Sequence, residues 1–186
     1  GLYLSTLRPF LSRPQLKYSW QIQRSDPTEG ERQQGWQPSW FLRLQIENKG
    51  QIPAQNCVGR LLEVRANGRR IESFDSLNLY WMRQSQPDDF RPIDIQGHGD
   101  FLWLDVGQIK QSENMLSIRV VIQSGERLVL DPDFPMAPDL PPGKYFVRIG
   151  VYAKEAYIEP TWFKIEWKDD YSKEPPCSFE LAKKPE

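Results

Sequence analysis

The sequence is poor in the residues that build most catalytic and metal sites, because its 186 residues include one histidine and two cysteines. A Ser-His-Asp or Cys-His arrangement would have to use His98, which lies between two glycines with no nucleophile motif around it. One histidine and two distant cysteines cannot supply a structural zinc site. A glycine-rich phosphate loop is also missing. We therefore expect no catalytic residues, no cofactor and no metal site.

An excess of charge of one sign is also lacking, since 24 lysines and arginines balance 25 aspartates and glutamates. Nucleic-acid binding usually shows as clustered basic charge, so we expect no nucleic-acid partner. No apolar run approaches the roughly 18 residues of a membrane-spanning helix. The composition predicts one soluble globular domain.

Cys57 and Cys177 are too few for a disulfide framework. A bridge between them would close a long loop and stabilise the fold by about 4–5 kcal/mol, and it remains an alternative. A buried free thiol is the commoner state of a lone cysteine. We expect both cysteines to be reduced and unpaired.

Carboxylates stand close in sequence at three places: Asp88 with Asp89, Asp131 with Asp133, and Asp169 with Asp170. Glycosidases use two carboxylates across a cleft, a separation that sequence alone does not give. Asp131 and Asp133 could offer oxygen ligands to Ca²⁺, but the dense Asp/Asn/Gly pattern of a calcium loop is missing. We interpret all three pairs as solvated turn residues.

The residues that are present favour an all-β fold. Sixteen prolines and twelve glycines suit many turns, and 12% aromatic residues argue against disorder. Asn67-Gly68 predicts a tight hairpin, with Ile71 opening the returning strand. Irregular loops are expected at 25–38, 84–99 and 131–142. Short apolar or alternating runs, typical of strands, lie at 16–22, 40–46, 57–65, 77–82, 102–106, 116–122, 128–130, 145–151 and 163–167.

These runs predict an antiparallel β-sandwich of 7–9 strands over residues 16–168, followed by a polar tail over 169–186. Residues 1–15 combine apolar side chains with Arg8 and Arg13. They are either an arm that packs on the sandwich or a juxtamembrane remnant of a membrane tether. The second interpretation slightly favours the cytoplasmic face of a membrane.

Two local patterns carry a family resemblance. The stretch 141–145, Pro-Pro-Gly-Lys-Tyr, resembles the approach to the penultimate strand of immunoglobulin-like and fibronectin type III-like domains. In those domains a tyrosine hydroxyl bonds back to the backbone, which would be the role of Tyr145. The stretch 42–57, with Asn48-Lys49-Gly50 and then Ala54, resembles bacterial CARDB-type domains, which are immunoglobulin-like adhesion or accessory modules. The resemblance implies an immunoglobulin-like sandwich with an elaborated loop region, and fold alone says little about function.

Aromatic residues provide the one indication of a binding surface. Strand parity places five of them on outer faces, where a two-layer sandwich should meet water. These candidate contact residues are Phe101, Trp103, Phe146, Tyr152 and Trp162. Either a partner contacts them, or segment 72–99 or residues 2–11 cover them. If they belong to neighbouring strands, they form one apolar band.

The sequence itself names no function. The leading hypothesis is a non-catalytic interaction or accessory module with a protein partner. The alternative is a carbohydrate-binding module that stacks sugars on Trp103, Tyr152 and Trp162, and an enzyme ranks third. Shared inward parity also predicts a set of nearly buried residues, namely Trp20, Leu42, Leu44, Ile46, Leu104, Ile118, Val120, Val147, Ile149 and Ile165.

Overall fold

The computed structural model describes residues 13–82, 91–111, 113–121, 132–133 and 138–185. They form two antiparallel sheets that pack face to face as a β-sandwich, as predicted. The elements are β1 (Leu16–Ser25), α1 (Glu29–Gln33), β2 (Ser39–Asn48), β3 (Ala54–Ala66), β4 (Arg69–Arg70), β5 (Leu77–Asn78), β6 (Tyr80–Trp81), β7 (Ile93–Ile95), β8 (Asp100–Lys110), β9 (Met115–Ile118), β10 (Asp139–Leu140), β11 (Gly143–Tyr152), β12 (Tyr157–Trp167) and β13 (Cys177–Ala182).

The first sheet has the order β1-β2-β8-β9-β10, and β6 also pairs with β8. β1 and β2 pair over ten residues without a bulge, whereas β2 and β8 shift register once between Leu42 and Arg43. β10 lies at the end of the sheet. That position agrees with the expectation that the proline-rich stretch 131–142 forms no central strand.

The second sheet has the order β13-β12-β11-β3, and β4, β5 and β7 pair with the outer edge of β3. The apolar run 77–82, predicted as one strand, divides between the two sheets. Leu77 and Asn78 pair with β3, and Tyr80 and Trp81 pair with β8. The run crosses from one layer to the other, and hydrophobicity alone does not reveal such a crossing.

The predicted hairpin is present at Asn67-Gly68, where both residues have positive φ, 51° and 79°. Both values suit the tight turn that Asn-Gly favours. The returning strand is shorter than expected, since it comprises Arg69 and Arg70 alone. Ile71 is fully buried and precedes a 3₁₀ turn instead.

Asn48 anchors the turn after β2 from a fully buried position. Its carboxamide oxygen accepts from the N–H groups of Gln15 and Gly50, both at 3.0 Å. Its amide nitrogen donates to the carbonyls of Ile52 at 2.8 Å and Ile95 at 3.1 Å. A side chain at Gly50 would meet the carbonyl of Arg13 at 2.3 Å, so this turn admits no larger residue. The side chain of Asn48 therefore joins the end of β2 to the residue before β1, to the following turn and to β7.

The predicted loop 25–38 contains a short helix, α1. The N–H of Thr28 donates to the carboxylate of Glu31 at 2.7 Å, and the Thr28 hydroxyl accepts from the N–H of Glu31. This capping box satisfies the first orphan donors of the helix. Because α1 buries no side chain, hydrophobic periodicity could not have predicted it.

The core lies between the sheets, and nine of the ten residues predicted to be buried are 5% exposed or less. Trp20 is the exception, with 39% exposure, so that prediction was wrong. Its parity is inward, as expected, and its ring packs edge-on against Phe163 at 6.0 Å. β1 is an edge strand of its sheet, so an inward side chain there is partly exposed to solvent at the side of the sandwich.

Tyr145 occupies its predicted position at the start of β11. It is 2% exposed, and its hydroxyl donates to the carbonyl of Pro141 at 2.8 Å. Burial raises the pKa of this phenol to about 12. The expected bond from hydroxyl to backbone is confirmed.

The predicted polar tail 169–186 is not wholly a tail, because Cys177–Ala182 forms β13 on the free side of β12. Phe179 is buried opposite Ile165, and Cys177 lies opposite Trp167. The apolar residues of β13 alternate over only six positions within a charged segment, so the pattern was missed. The apolar residues 2–11 predicted as an arm or juxtamembrane remnant lie outside the described residues.

Candidate functional site

The five candidate contact residues lie on two different sheets. Phe101 and Trp103 belong to β8 of the first sheet, and Phe146, Tyr152 and Trp162 belong to β11 and β12 of the second. Since the two sheets face each other, their outer faces point in opposite directions. The single apolar band that neighbouring strands would have formed is therefore not found.

On the first sheet, three side chains form what we call the β8 patch: Phe101, Trp103 and Met82. The rings of Phe101 and Trp103 meet edge-on with centroids 5.8 Å apart. The N–H of Met82 donates to the carbonyl of Trp103 at 2.9 Å, which sets Met82 beside Trp103. Phe101 is 42% exposed and Met82 is 54% exposed. Trp103 between them is half-buried, so the patch is partly open to solvent.

A buried ion pair borders the β8 patch. Nε of Arg43 donates to the carboxylate of Asp105 at 2.6 Å, and the two side chains are 11% and 8% exposed. The guanidinium of Arg43 also bonds the side chain of Gln23 and lies 4.3 Å from the ring centre of Phe41. With the charge compensated and the guanidinium stacked, the pair forms a rigid polar border.

Tyr80 and Arg119 extend this border on the other side of β8. The guanidinium of Arg119 lies 5.2 Å from the ring centre of Tyr80, and the N–H of Tyr80 donates to the carbonyl of Arg119. Tyr80 aligns with Asp105 in the pairing of β6 with β8. Sequence analysis missed Met82, Arg43 and Tyr80, because β6 is too short for alternation and a lone arginine in a strand carries no signal.

On the second sheet, Phe146 and Trp162 form what we call the β11–β12 cluster. Trp162 is only 7% exposed, although it faces outward. The guanidinium of Arg65 lies 5.7 Å from its ring centre, and Arg65 stands directly opposite Phe146 in the pairing of β3 with β11. The ammonium of Lys144 lies 5.2 Å from the ring centre of Phe146. Cationic side chains thus cover the cluster.

The position of Arg65 is fixed from two sides. Its Nε donates to the carboxylate of Glu63 at 2.6 Å, and one terminal nitrogen donates to the carbonyl of Pro185 at 3.5 Å. Residues 2–11, and residues 83–90 of segment 72–99, which the sequence suggested as alternative covers, lie outside the described residues. Among the described residues, the contacts at the β11–β12 cluster come from β3, β11 and the chain after β13.

Tyr152 is separate from both groups. It lies at the far end of β11 from Phe146, opposite Val58 on β3 and Tyr157 on β12. Its ring lies over Gly150, where a β-carbon would come within 2.9 Å of the hydroxyl. It is half-buried and belongs to neither the β8 patch nor the β11–β12 cluster.

The histidine and the two cysteines considered for chemistry lie in different parts of the described structure, whereas Asp88, Asp89 and Asp131 lie outside the described residues. His98 is exposed in a turn, and its N–H donates to the carbonyl of Gly50. Cys57 and Cys177 are free, as predicted, and both are buried, although Cys177 was expected in a polar tail. Burial raises the pKa of the Cys57 thiol to about 11 and that of Cys177 to about 12. Such thiols are poor nucleophiles at neutral pH. Within the described parts of the chain, no three His, Cys, Asp or Glu residues are grouped to hold a metal.

Comparisons with known proteins add no relative, since the chain matches no family model, no curated protein and no solved structure. Among the described residues, no helix has the length and hydrophobicity to cross a membrane.

Proposed function

We propose that this chain is a non-catalytic interaction module of the immunoglobulin-like kind, which binds a protein partner through the β8 patch. The observation that carries the proposal is the exposed side chains of Phe101 and Met82 on either side of the half-buried Trp103. Isolated exposed apolar residues need no explanation, but an apolar group with aromatic character on an outer sheet face does.

Strand order supports the immunoglobulin-like part of the proposal. Constant-type immunoglobulin domains place strands A, B, E and D in one sheet and C, F and G in the other. Here β1, β2, β8 and β6 have the order of the first set, and β3, β11 and β12 have that of the second. Tyr145 lies at the start of β11, where such domains have their tyrosine corner. β13 is an additional strand.

The CARDB-type resemblance is supported more narrowly. In that family the Asn-x-Gly turn bends the chain, and a small alanine lets the next strand begin against the sheet. Here the buried hydrogen bonds of Asn48 hold the turn, and Ala54 opens β3 with no exposed surface. Both features suit such a module, and we propose this type on their strength.

A protein partner suits the β8 patch better than a sugar. Protein interfaces are enriched in aromatic residues, methionine and arginine, and energetically dominant residues lie within a polar rim. Phe101, Trp103 and Met82 provide the apolar centre, and the pair of Arg43 with Asp105 borders it. The planes of Phe101 and Trp103 meet at 79° rather than lying flat together.

The positions of the three proposed stacking residues do not support the carbohydrate alternative. Trp103, Tyr152 and Trp162 do not share a face, and Trp162 is buried. A flat stacking surface would need coplanar exposed rings, which the described residues do not offer at these three positions.

The experiment compares three immobilised chains: the native chain, Trp103→Ala and Tyr157→Ala. Tyr157 is the matched control, because it is an aromatic residue that is 62% exposed on a different sheet. Proteins bound from a cell extract are quantified, and each candidate is then purified and titrated. A partner whose affinity falls about tenfold or more for Trp103→Ala, but not for Tyr157→Ala, supports the proposal. Circular dichroism checks that both variants fold.

Two results would contradict it. One is a partner that binds the native chain and Trp103→Ala equally. The other is saturable binding on a glycan array that Trp103→Ala removes, which would assign the patch to a sugar.

A further inference from the structure

The edge strands of the two sheets differ in length and in whether short strands pair with them. β10 is two residues long and β13 is six, and three short strands cover the outer edge of β3. β1 is ten residues long and pairs with β2 without a bulge. Natural proteins usually shorten, bulge or charge a free edge. Among the described residues β1 is the longest free edge, and its centre, residues 18–23, carries no charge.

The backbone of β1 presents a regular row of hydrogen-bonding groups. The N–H of Lys49 donates to the carbonyl of Gln15 at 2.9 Å, so Gln15 directs its polar groups toward the β2 side. Directions alternate along an antiparallel ladder. The even-numbered residues from Leu16 to Arg24 therefore direct their N–H and C=O groups to the free edge. Within the described part of the chain, only β2 pairs with β1.

The same even-numbered residues carry the inward side chains of β1. Trp20 is 39% exposed, and across the gap between the sheets Leu181 on β13 is 50% exposed. Both border Phe163, since Trp20 packs against its ring and Leu181 is its partner in the pairing of β12 with β13. The side of the sandwich at β1 thus combines open backbone groups with open apolar side chains.

We propose that a second copy of this chain pairs its β1 antiparallel to this β1, so that the first sheets of the two copies become continuous. Two-fold symmetry with matching faces requires that the paired residue numbers add to an even total. The register centred on Trp20 pairs the two Trp20 residues and sets Tyr18 opposite Ile22 of the second copy. This register uses the free backbone groups of all five even-numbered residues.

The positions of the charged residues in β1 favour a second copy of this chain as the strand that pairs with its free edge. Lys17 and Arg24 point to opposite faces of β1, so no register of this symmetry places them against each other. In the Trp20-centred register, Lys17 meets Gln23 and Ser19 meets Gln21 of the second copy. Two copies of β1 can therefore pair in this register without opposing like charges. This inference does not rest on the proposed function, because β8 lies two strands away and the β8 patch stays open in the dimer.

A charge-swap series tests the proposal by sedimentation velocity from about 1 to 100 μM, the range in which micromolar dimers dissociate. Ser19→Lys with Gln21→Lys sets lysines against lysines, and this variant is expected to be monomeric. Ser19→Lys with Gln21→Glu sets opposite charges together and should restore the dimer. Gln33→Lys with Gln34→Lys adds the same charge on and beside α1, away from β1, and should dimerise like the native chain.

Hydrogen exchange gives an independent measure on the native chain. The N–H groups of Tyr18, Trp20 and Ile22 should exchange more slowly at high protein concentration than at low concentration. A native chain that stays monomeric over the whole range, or a double-lysine variant that still dimerises, overturns the proposal. A Lys/Glu variant that folds but remains monomeric overturns the Trp20-centred register.

Discussion

The outer faces of the two sheets both carry aromatic residues, and one residue from each face shows a large difference in exposure. On the first sheet Phe101 is 42% exposed, whereas on the second sheet Trp162 is 7% exposed. The difference lies in the neighbouring side chains. On the second sheet Arg65 and Lys144 lie over the rings, while on the first sheet the arginine beside the patch, Arg43, is held by Asp105.

The comparison shows what an outward position in a strand does and does not determine. Parity determines which face a side chain points from, but the length and charge of its cross-strand neighbours decide whether water reaches it. Arginine and lysine can lay their apolar stems along a ring and keep the charged end in solvent. Arg65 and Arg43 are both paired with carboxylates, so the difference is the ring that each guanidinium covers: Arg65 lies over Trp162, whereas Arg43 lies over Phe41, outside the β8 patch. This difference is why we propose the β8 patch as the contact surface and a structural role for the β11–β12 cluster.

The largest expected difference between the faces is in stability. Trp162→Ala removes a buried indole and should lower the free energy of unfolding by about 3–5 kcal/mol. Phe101→Ala removes an exposed ring and should change it by less than about 0.5 kcal/mol. Urea denaturation followed by circular dichroism measures both. Equal losses for the two variants would mean that the β8 patch is as structural as the cluster.

The ion pairs of the two faces should differ in the opposite direction, with the larger loss of stability on the first sheet. Asp105→Ala leaves Arg43 without its carboxylate in a nearly buried position, and we expect a loss of about 3 kcal/mol. Glu63→Ala affects a pair whose side chains are 14% and 24% exposed, and we expect about 1 kcal/mol, since solvent screens it. Thermal and urea unfolding of the two variants tests this order. A larger loss for Glu63→Ala would reverse our view of which polar border is rigid.

The sequence was sufficient for the parts of the fold that depend on long alternating strands. β2, β8, β11 and β12 appear near their predicted positions, and Leu44, Val147 and Ile165 are buried as parity requires. Asn67-Gly68 and Tyr145 were predicted because their chemistry is local: one needs positive φ, and the other reaches a carbonyl four residues away. Features that depend only on residues close together in the chain can therefore be predicted from the sequence.

The parts of the fold and of the candidate site that the sequence did not predict depend on which strands become neighbours in the sheets. The outward aromatic residues were predicted correctly by parity, but only pairing separates β8 from β11 and places the five candidates on two faces. Trp20 failed as a core residue because β1 is an edge strand, which is a property of sheet order. Arg65 was not recognised as a cover for Trp162, since the two are far apart in sequence and meet across β11.

The smallest expected effect concerns the contact between Lys144 and the ring of Phe146. Lys144 lies over Phe146 with its ammonium 5.2 Å from the ring centre, a geometry that contributes about 0.5–1 kcal/mol at exposed sites. A double-mutant cycle with Lys144→Ala and Phe146→Leu separates this attraction from the individual contributions of the two side chains. Lys110, which lies on the first sheet and pairs with Glu113 at 2.7 Å, provides the control cycle with Phe146→Leu. We expect about 0.5 kcal/mol of coupling for Lys144 and none for Lys110, measured by urea unfolding at low salt. Coupling of zero for Lys144 would mean that it merely lies near the ring, and the contrast between the faces would then rest on Arg65 alone.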